Sequence, residues 1–143
     1  MSGDRTTVSV IVPAYQRPDA LARCLHAIAR QTHRADEVIV VLRVGDEATI
    51  TAARSVGFPP ATHVKLEMVT TPGVVAAMQR GLDAATGAII ALTDDDAEPR
   101  PDWLERLVRT INQDVRIAGA GGRDSQPPAR GDGHAVRRVQ RRR

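Results

Sequence analysis

Three consecutive carboxylates, Asp94-Asp95-Asp96, follow the short apolar run Ala88-Ile89-Ile90-Ala91-Leu92, with Thr93 between. Adjacent acids repel one another unless a cation, hydrogen-bond donors or solvent compensate them. In an extended segment alternate side chains share a face. Asp94 and Asp96 can therefore turn two hard oxygen ligands toward one Mg²⁺ or Mn²⁺ while Asp95 points elsewhere, toward hydroxyls or a backbone amide. Phosphate oxygens and water would complete such a shell. Taken alone, the triad fits equally well an exposed acidic loop capping the helix that begins near Pro101. The single cysteine, Cys24, lies at helical spacing with Leu21, Leu25 and Ile28, which reads as a small buried side chain and not as a nucleophile.

The elements that must position these residues alternate in hydrophobic period. Short β-branched runs are followed by stretches of helical spacing, the pattern of successive βα units in a parallel sheet. Strands are predicted at Val8–Val12, Glu37–Leu42, His63–Val69 and Ala88–Leu92, the third more exposed than the first two. A weak fifth strand is predicted at Val115–Ala118. Helices are predicted over 19–31, 47–55, from Gly73 to about Thr86, and after Pro101 with Trp103, Leu104, Leu107, Val108 and Ile111 on its apolar face. The expected fold class is α/β, a Rossmann-like three-layer sandwich with a mainly parallel sheet. Ligands of such sheets bind outside the carboxyl ends of the strands, so useful residues should follow the first, second and fourth strands. Residues 123–143, rich in Gly, Pro and Arg, have no run able to bury an apolar face, and a boundary with a disordered tail is expected after 122.

The 143 residues are 42% hydrophobic and 26% charged, an ordinary balance for one domain, with an aliphatic core implied by only 2% aromatics. The formal charge of +3 is uneven. Residues 1–122 hold 13 Arg or Lys against 15 Asp or Glu, whereas 123–143 hold seven Arg against two Asp. The basicity belongs to the tail, so nucleic acid is not an expected partner. No run reaches the roughly 20 apolar residues of a membrane span and no leader is visible, which reads as a cytoplasmic chain, free or peripheral to a membrane. No Gly-x-x-x-x-Gly-Lys-Ser/Thr phosphate loop occurs.

The segment from Ala88 through Asp94-Asp95-Asp96 to Trp103-Leu104 closely resembles the strand and DxD region of family 2 glycosyltransferases of the GT-A type. Val8-Ser-Val-Ile-Val-Pro-Ala-Tyr-Gln-Arg is similar to that family's opening strand. Leu25-His-Ala-Ile-Ala-Arg-Gln-Thr with Asp36-Glu-Val-Ile-Val-Val resembles its first helix and second strand. Gly73 to Gly87 resembles the helix leading into the DxD strand. The resemblance covers about 7–122 and implies a partial GT-A fold that binds a nucleoside-diphosphate sugar for transfer to an unknown acceptor. It implies Asp94 and Asp96 as ligands of Mg²⁺ or Mn²⁺ and Asp95 as a supporting contact. By position, Pro13 and Ala14 would approach the base edge and Tyr15 would either stack on it or pack at the rim. Arg17 would meet a phosphate or lie in solvent.

The sequence departs from the family pattern at three places. Arg43 stands where a base-reading acid is frequent, so it meets the diphosphate or lies in solvent, and Asp46 is left as a helix cap. Gln79 stands where an Asn is frequent on the third helix. After Asp96 no acid has a setting suited to a catalytic base, and the change of character after Gly122 reads as a truncation or frame shift. A non-catalytic nucleotide-binding or interaction module is therefore the alternative, and a sheet without later strands would expose an edge open to self-association.

Overall fold

Four strands, β1 (Val8–Pro13), β2 (Glu37–Arg43), β3 (His63–Val69) and β4 (Ile89–Leu92), pair in parallel in the order β3-β2-β1-β4. They alternate with α1 (Pro18–Ala29), α2 (Glu47–Ser55), α3 (Val74–Ala84) and α4 (Trp103–Asn112) in the computed structural model, which describes residues 5–122. The central strands are apolar on both faces because helices cover both sides of the sheet. Val8, Val10, Val12, Val38, Val40 and Leu42 face one layer, where they meet Leu21, Cys24, Leu25 and Ile28 of α1, Ile50 and Ala53 of α2, and Leu104 and Val108 of α4. Ile11, Ile39 and Val41 face the other layer and meet Ala77 of α3. Each fully buried aliphatic side chain is worth about 1.5–3 kcal/mol, so this core needs no aromatic centre.

Gly81 explains how α3 approaches the sheet so closely. A Cβ there would lie 2.4 Å from Ile11 Cγ2 and 3.3 Å from Val41 Cγ2, so only a residue without a side chain fits. Farther along, Gln31 joins two helices of the opposite layer. Its amide nitrogen donates to Arg100 O (2.7 Å), and its amide oxygen accepts the first-turn N–H of Leu104 (3.0 Å), capping α4 from the end of α1.

The amino ends of the strands are closed by a buried polar clasp. Ser9 Oγ donates to Glu37 Oε1 (2.6 Å) and accepts the N–H of Gly87 (2.7 Å). Glu37 also accepts the Thr86 N–H (2.6 Å) and the Lys65 ammonium (2.8 Å). Burial would raise the Glu37 pKa, but Lys65, Ser9 and Thr86 outweigh it and hold the carboxyl at about 2.

The α/β class, the strand order along the chain and the more exposed third strand agree with the sequence reading. The fifth strand does not form. Residues 115–116 lie in a turn and Val115 is fully exposed; Asp114 accepts both the N–H (2.9 Å) and the guanidinium of Arg116, which holds the turn. The edge strand β4 buries Ile89 and Ala91 but leaves Ile90 and Leu92 exposed; this is the edge on which the expectation of self-association falls. The tail expected to be disordered lies outside the described residues. No described helix is long and apolar enough to cross a membrane.

Candidate functional site

At the carboxyl end of the sheet a cleft of about 410 Å³ opens between three segments. The volume is within the range of ligand pockets, roughly 300–1,000 Å³. The first segment is the loop after β1. Ala14 N–H still donates to Val41 O (2.9 Å), and Gln16 then adopts φ +52°, a left-handed conformation uncommon for a residue with a Cβ. The Gln16 N–H is held there by Asp46 Oδ2 at 2.7 Å. Burial acts to raise the Asp46 pKa, but hydrogen bonds from the Gln16 amide and from Thr49, and then the Arg43 charge, outweigh burial and lower it. Asp46 stands at the N-cap position of α2, as the sequence reading has it, and its side chain also holds the loop after β1.

The second segment is the acidic turn. Thr93 N–H continues the ladder to Ile11 O (3.2 Å), and Ala97 N–H then closes onto Asp94 O (3.2 Å). The acids thus occupy a turn and not the extended strand assumed from the sequence. The alternation survives: Asp94 and Asp96 are exposed, while Asp95 is buried, 7% exposed. Asp95 Oδ2 accepts the Tyr15 N–H (3.2 Å), and its Oδ1 lies 3.3 Å from Arg17 Nη1. The same Arg17 nitrogen lies 3.0 Å from Asp96 Oδ2. The triad does not cap α4, whose Leu104 N–H is taken by Gln31. Beneath the turn, Cys24 Sγ donates to Asp94 O (3.4 Å). Burial, and then the charges of Asp95, Asp96, Asp94 and Glu98, push this thiol up to about 12, so it is no nucleophile at neutral pH.

The third segment is the start of α3, where Gly73 at φ +104°, Val74 and Ala77 form an apolar wall with Val69. Tyr15 and Arg43 also line the cleft and stand together, the guanidinium carbon 4.6 Å from the ring centroid.

Eight of the nine residues singled out in the sequence line this one cleft: Pro13, Ala14, Tyr15, Arg17, Arg43, Asp94, Asp95 and Asp96. Gln79 does not. It is exposed on α3, outside the cleft, and its amide donates to Asp83 Oδ1 (2.8 Å). Sequence reasoning missed Val69, Val74, Ala77 and the tether role of Asp46. The Thr71-Pro72-Gly73 turn was the available pointer to the α3 wall. No group of three or more His, Cys, Asp or Glu residues among the described ones is arranged to hold a metal ion. Two exposed carboxylates in the cleft, Asp94 and Asp96, still suit a hard cation that takes most of its ligands from phosphate and water.

A parallel α/β sheet whose first-strand loop and fourth-strand acidic turn meet at the carboxyl edge defines the GT-A class of glycosyltransferase fold. The chain belongs to Glycosyl transferase family 2, which it matches over residues 9–142. It is similar to glycosyltransferase AglE of Haloferax volcanii, 34% identical over 110 residues, covering 73% of this chain and 35% of that protein. It also resembles the mannosyltransferase PcManGT of Pyrobaculum calidifontis, solved with GDP-Man and Mn²⁺: TM-score 0.66, 31% identity, 75% of this chain and 32% of that one. The fold is shared with Mycobacterium tuberculosis glucosyl-3-phosphoglycerate synthase, solved with Mn²⁺, UDP and glucosyl-3-phosphoglycerate: TM-score 0.60, 24% identity, 76% of this chain and 40% of that one. The chain spans about a third of the length of the relatives it matches.

Proposed function

We propose that this cleft binds a nucleoside-diphosphate sugar together with Mg²⁺ or Mn²⁺, and that the chain supplies the donor side of glycosyl transfer to an acceptor. The observation that carries the reading is the meeting of the Pro13–Tyr15 loop with the Asp94–Asp96 turn in one cleft, joined by the Tyr15–Asp95 hydrogen bond. One extended ligand can then touch both, with its nucleoside at the loop and its diphosphate at the acids.

Charge supports the same assignment. Three carboxylates and two guanidiniums line the cleft, so an anionic diphosphate would meet net negative charge without a cation. Asp94 and Asp96 would hold the divalent ion, which when bound neutralises charge on the leaving diphosphate. Tyr15 offers a ring face, 47% of the residue being exposed, and Val69, Val74 and Ala77 add apolar surface to the same cleft. Arg43 presents only donors, which favours a base edge rich in acceptors or a phosphate oxygen. The complexes of PcManGT with GDP-Man and Mn²⁺ and of the synthase with UDP and Mn²⁺ are consistent with this class of donor.

A specific observation favours a second reading, a nucleotide-binding module without turnover. Among the described residues no carboxylate other than the three aspartates lines the cleft, and these are the proposed ion ligands and the loop tether. Calorimetric titration with UDP, GDP and dTDP, with and without Mn²⁺, tests the site, and a sugar-release assay separates the two readings. Metal-dependent binding with release supports the transferase, and binding without release the module. Metal-independent binding removes the assignment of Asp94 and Asp96.

A further inference from the structure

We infer that Arg17 is a displaceable counter-ion which makes divalent metal and nucleotide bind as a coupled pair. The inference rests on the proposed function of the cleft and assigns Arg17 a positioning role within it.

A single nitrogen of Arg17, Nη1, spans Asp95 Oδ1 (3.3 Å) and Asp96 Oδ2 (3.0 Å). The guanidinium therefore sits where positive charge is needed, and a metal ion binding at Asp96 Oδ2 competes with it. The two acids differ in what they keep when Arg17 leaves. Asp95 retains the Tyr15 N–H (3.2 Å) and stays buried, whereas Arg17 is the only hydrogen-bond partner of the Asp96 side chain among the described residues. Asp96 is the one released.

Release of Asp96 is cheap and leads somewhere. The Arg17 and Asp96 side chains are 56% and 58% exposed, and an ion pair so exposed is worth about 0–1 kcal/mol, or at most roughly a fivefold change in binding. The Arg17 backbone stays fixed meanwhile, because its carbonyl accepts the Leu21 N–H (2.9 Å) in the first turn of α1. Only the side chain has to swing. Once free of Asp96 it remains a cleft-lining fork of donors, a shape that matches phosphate oxygens.

The ion by itself gains little. Two protein carboxylates supply a minority of an octahedral shell, and the bound guanidinium repels the newcomer. A nucleoside diphosphate changes both terms, since its oxygens add ligands to the metal and give Arg17 a new partner. Metal and nucleotide should each raise the other's affinity by the same factor.

The test is a Mn²⁺ titration of the full chain, read from the electron paramagnetic resonance of free Mn²⁺, with and without GDP or UDP. Wild type is compared with Arg17→Gln and Arg17→Lys. For Arg17→Gln the expected result is Mn²⁺ alone bound tighter than by wild type, by up to about fivefold, with the enhancement conferred by nucleotide reduced by a similar factor. Arg17→Lys keeps the charge but not the fork, so it should bind Mn²⁺ alone like wild type and still lose part of the enhancement. It carries the test should the glutamine variant not fold. Unchanged Mn²⁺ affinity and unchanged enhancement in both variants, on a wild type that binds metal and nucleotide, overturns the counter-ion role alone. Failure of wild type to bind Mn²⁺ with any nucleoside diphosphate overturns this role and the proposed function together.

Discussion

The backbone N–H of Tyr15 donates to the buried carboxylate of Asp95 across 80 positions of sequence, tying the loop after β1 to the turn after β4. Asp95 is thus the residue through which the two halves of the cleft keep their spacing. Replacing it with Ala strands the Tyr15 amide and frees Arg17. Nucleotide affinity is expected to fall at least about tenfold and stability by about 1–3 kcal/mol, the range for losing a buried hydrogen-bonding partner. Calorimetry and urea unfolding measure the two effects. Asp95→Asn, which retains an acceptor for the amide, should lose less of both.

Asp94 and Asp96 stand in a different relation to the fold. Both are exposed, so Asp94→Asn and Asp96→Asn should leave unfolding within about 0.5 kcal/mol of wild type. Under the proposed function each abolishes the Mn²⁺ dependence of nucleotide binding. A titration in which either variant retains full metal dependence would remove that residue from the proposed shell.

Tyr15 and Arg43 form a stacked pair where the proposed function puts the nucleoside. Tyr15→Ala is expected to weaken nucleotide binding by about 1–3 kcal/mol, the worth of base stacking on an aromatic ring, with little effect on stability because the residue is 47% exposed. Arg43→Ala should leave stacking in place but narrow the affinity differences among UDP, GDP and dTDP. Equal losses for all three nucleotides would assign Arg43 to the diphosphate instead.

The polar clasp sets an acid limit on the fold. Glu37 has a folded pKa of about 2 against an ordinary 4.5. The unfolded chain therefore takes up its proton first. The contribution, on the order of 3 kcal/mol, is complete above about pH 4.5 and disappears as pH falls from there through about 2. Glu37→Gln should lower stability at pH 7 by a similar amount and flatten the acid limb of a stability profile measured by urea unfolding.

Gly81 is a packing constraint with a direct check. Gly81→Ala must push α3 off Ile11, at a cost of about 1–3 kcal/mol, despite alanine's better helix propensity. A thermal melt unchanged or raised by the substitution would show that α3 has room to move.

The strands and helices were legible because their apolar periodicity is undisturbed: Val8–Val12 and Glu37–Leu42 are buried runs, and α1 and α4 carry clear stripes. Val115–Ala118 misled, since a β-branched residue and Ile117 suggested a strand where an Asp114–Arg116 contact makes a turn. Residue types close in sequence could place Asp94–Asp96 and Pro13–Tyr15 at strand ends, but could not show which nitrogen neutralises which acid. Arg17 bridging two aspartates and Asp46 holding Gln16 span 78 to 79 and 30 positions, respectively, and became visible only with the sheet assembled. The expectation for Gln79 follows from the family pattern alone. The α3 face carrying Gly73, Val74 and Ala77 toward the cleft turns Gln79 outward. The clasp went unnoticed because Ser9 and Glu37 each sit within or beside an otherwise apolar run, and only strand register sets them side by side.

Cys24 gives this molecule a built-in clock. It is the one sulfhydryl in the chain, it lies sealed under the Asp94 carbonyl, and burial keeps it protonated. Alkylating reagents can reach it only when the structure opens around it, and lifting of the acidic turn is one such opening that the labelling rate would count. A ligand that draws the turn and the neighbouring loop together should slow that clock without any group needing to be engineered into the protein.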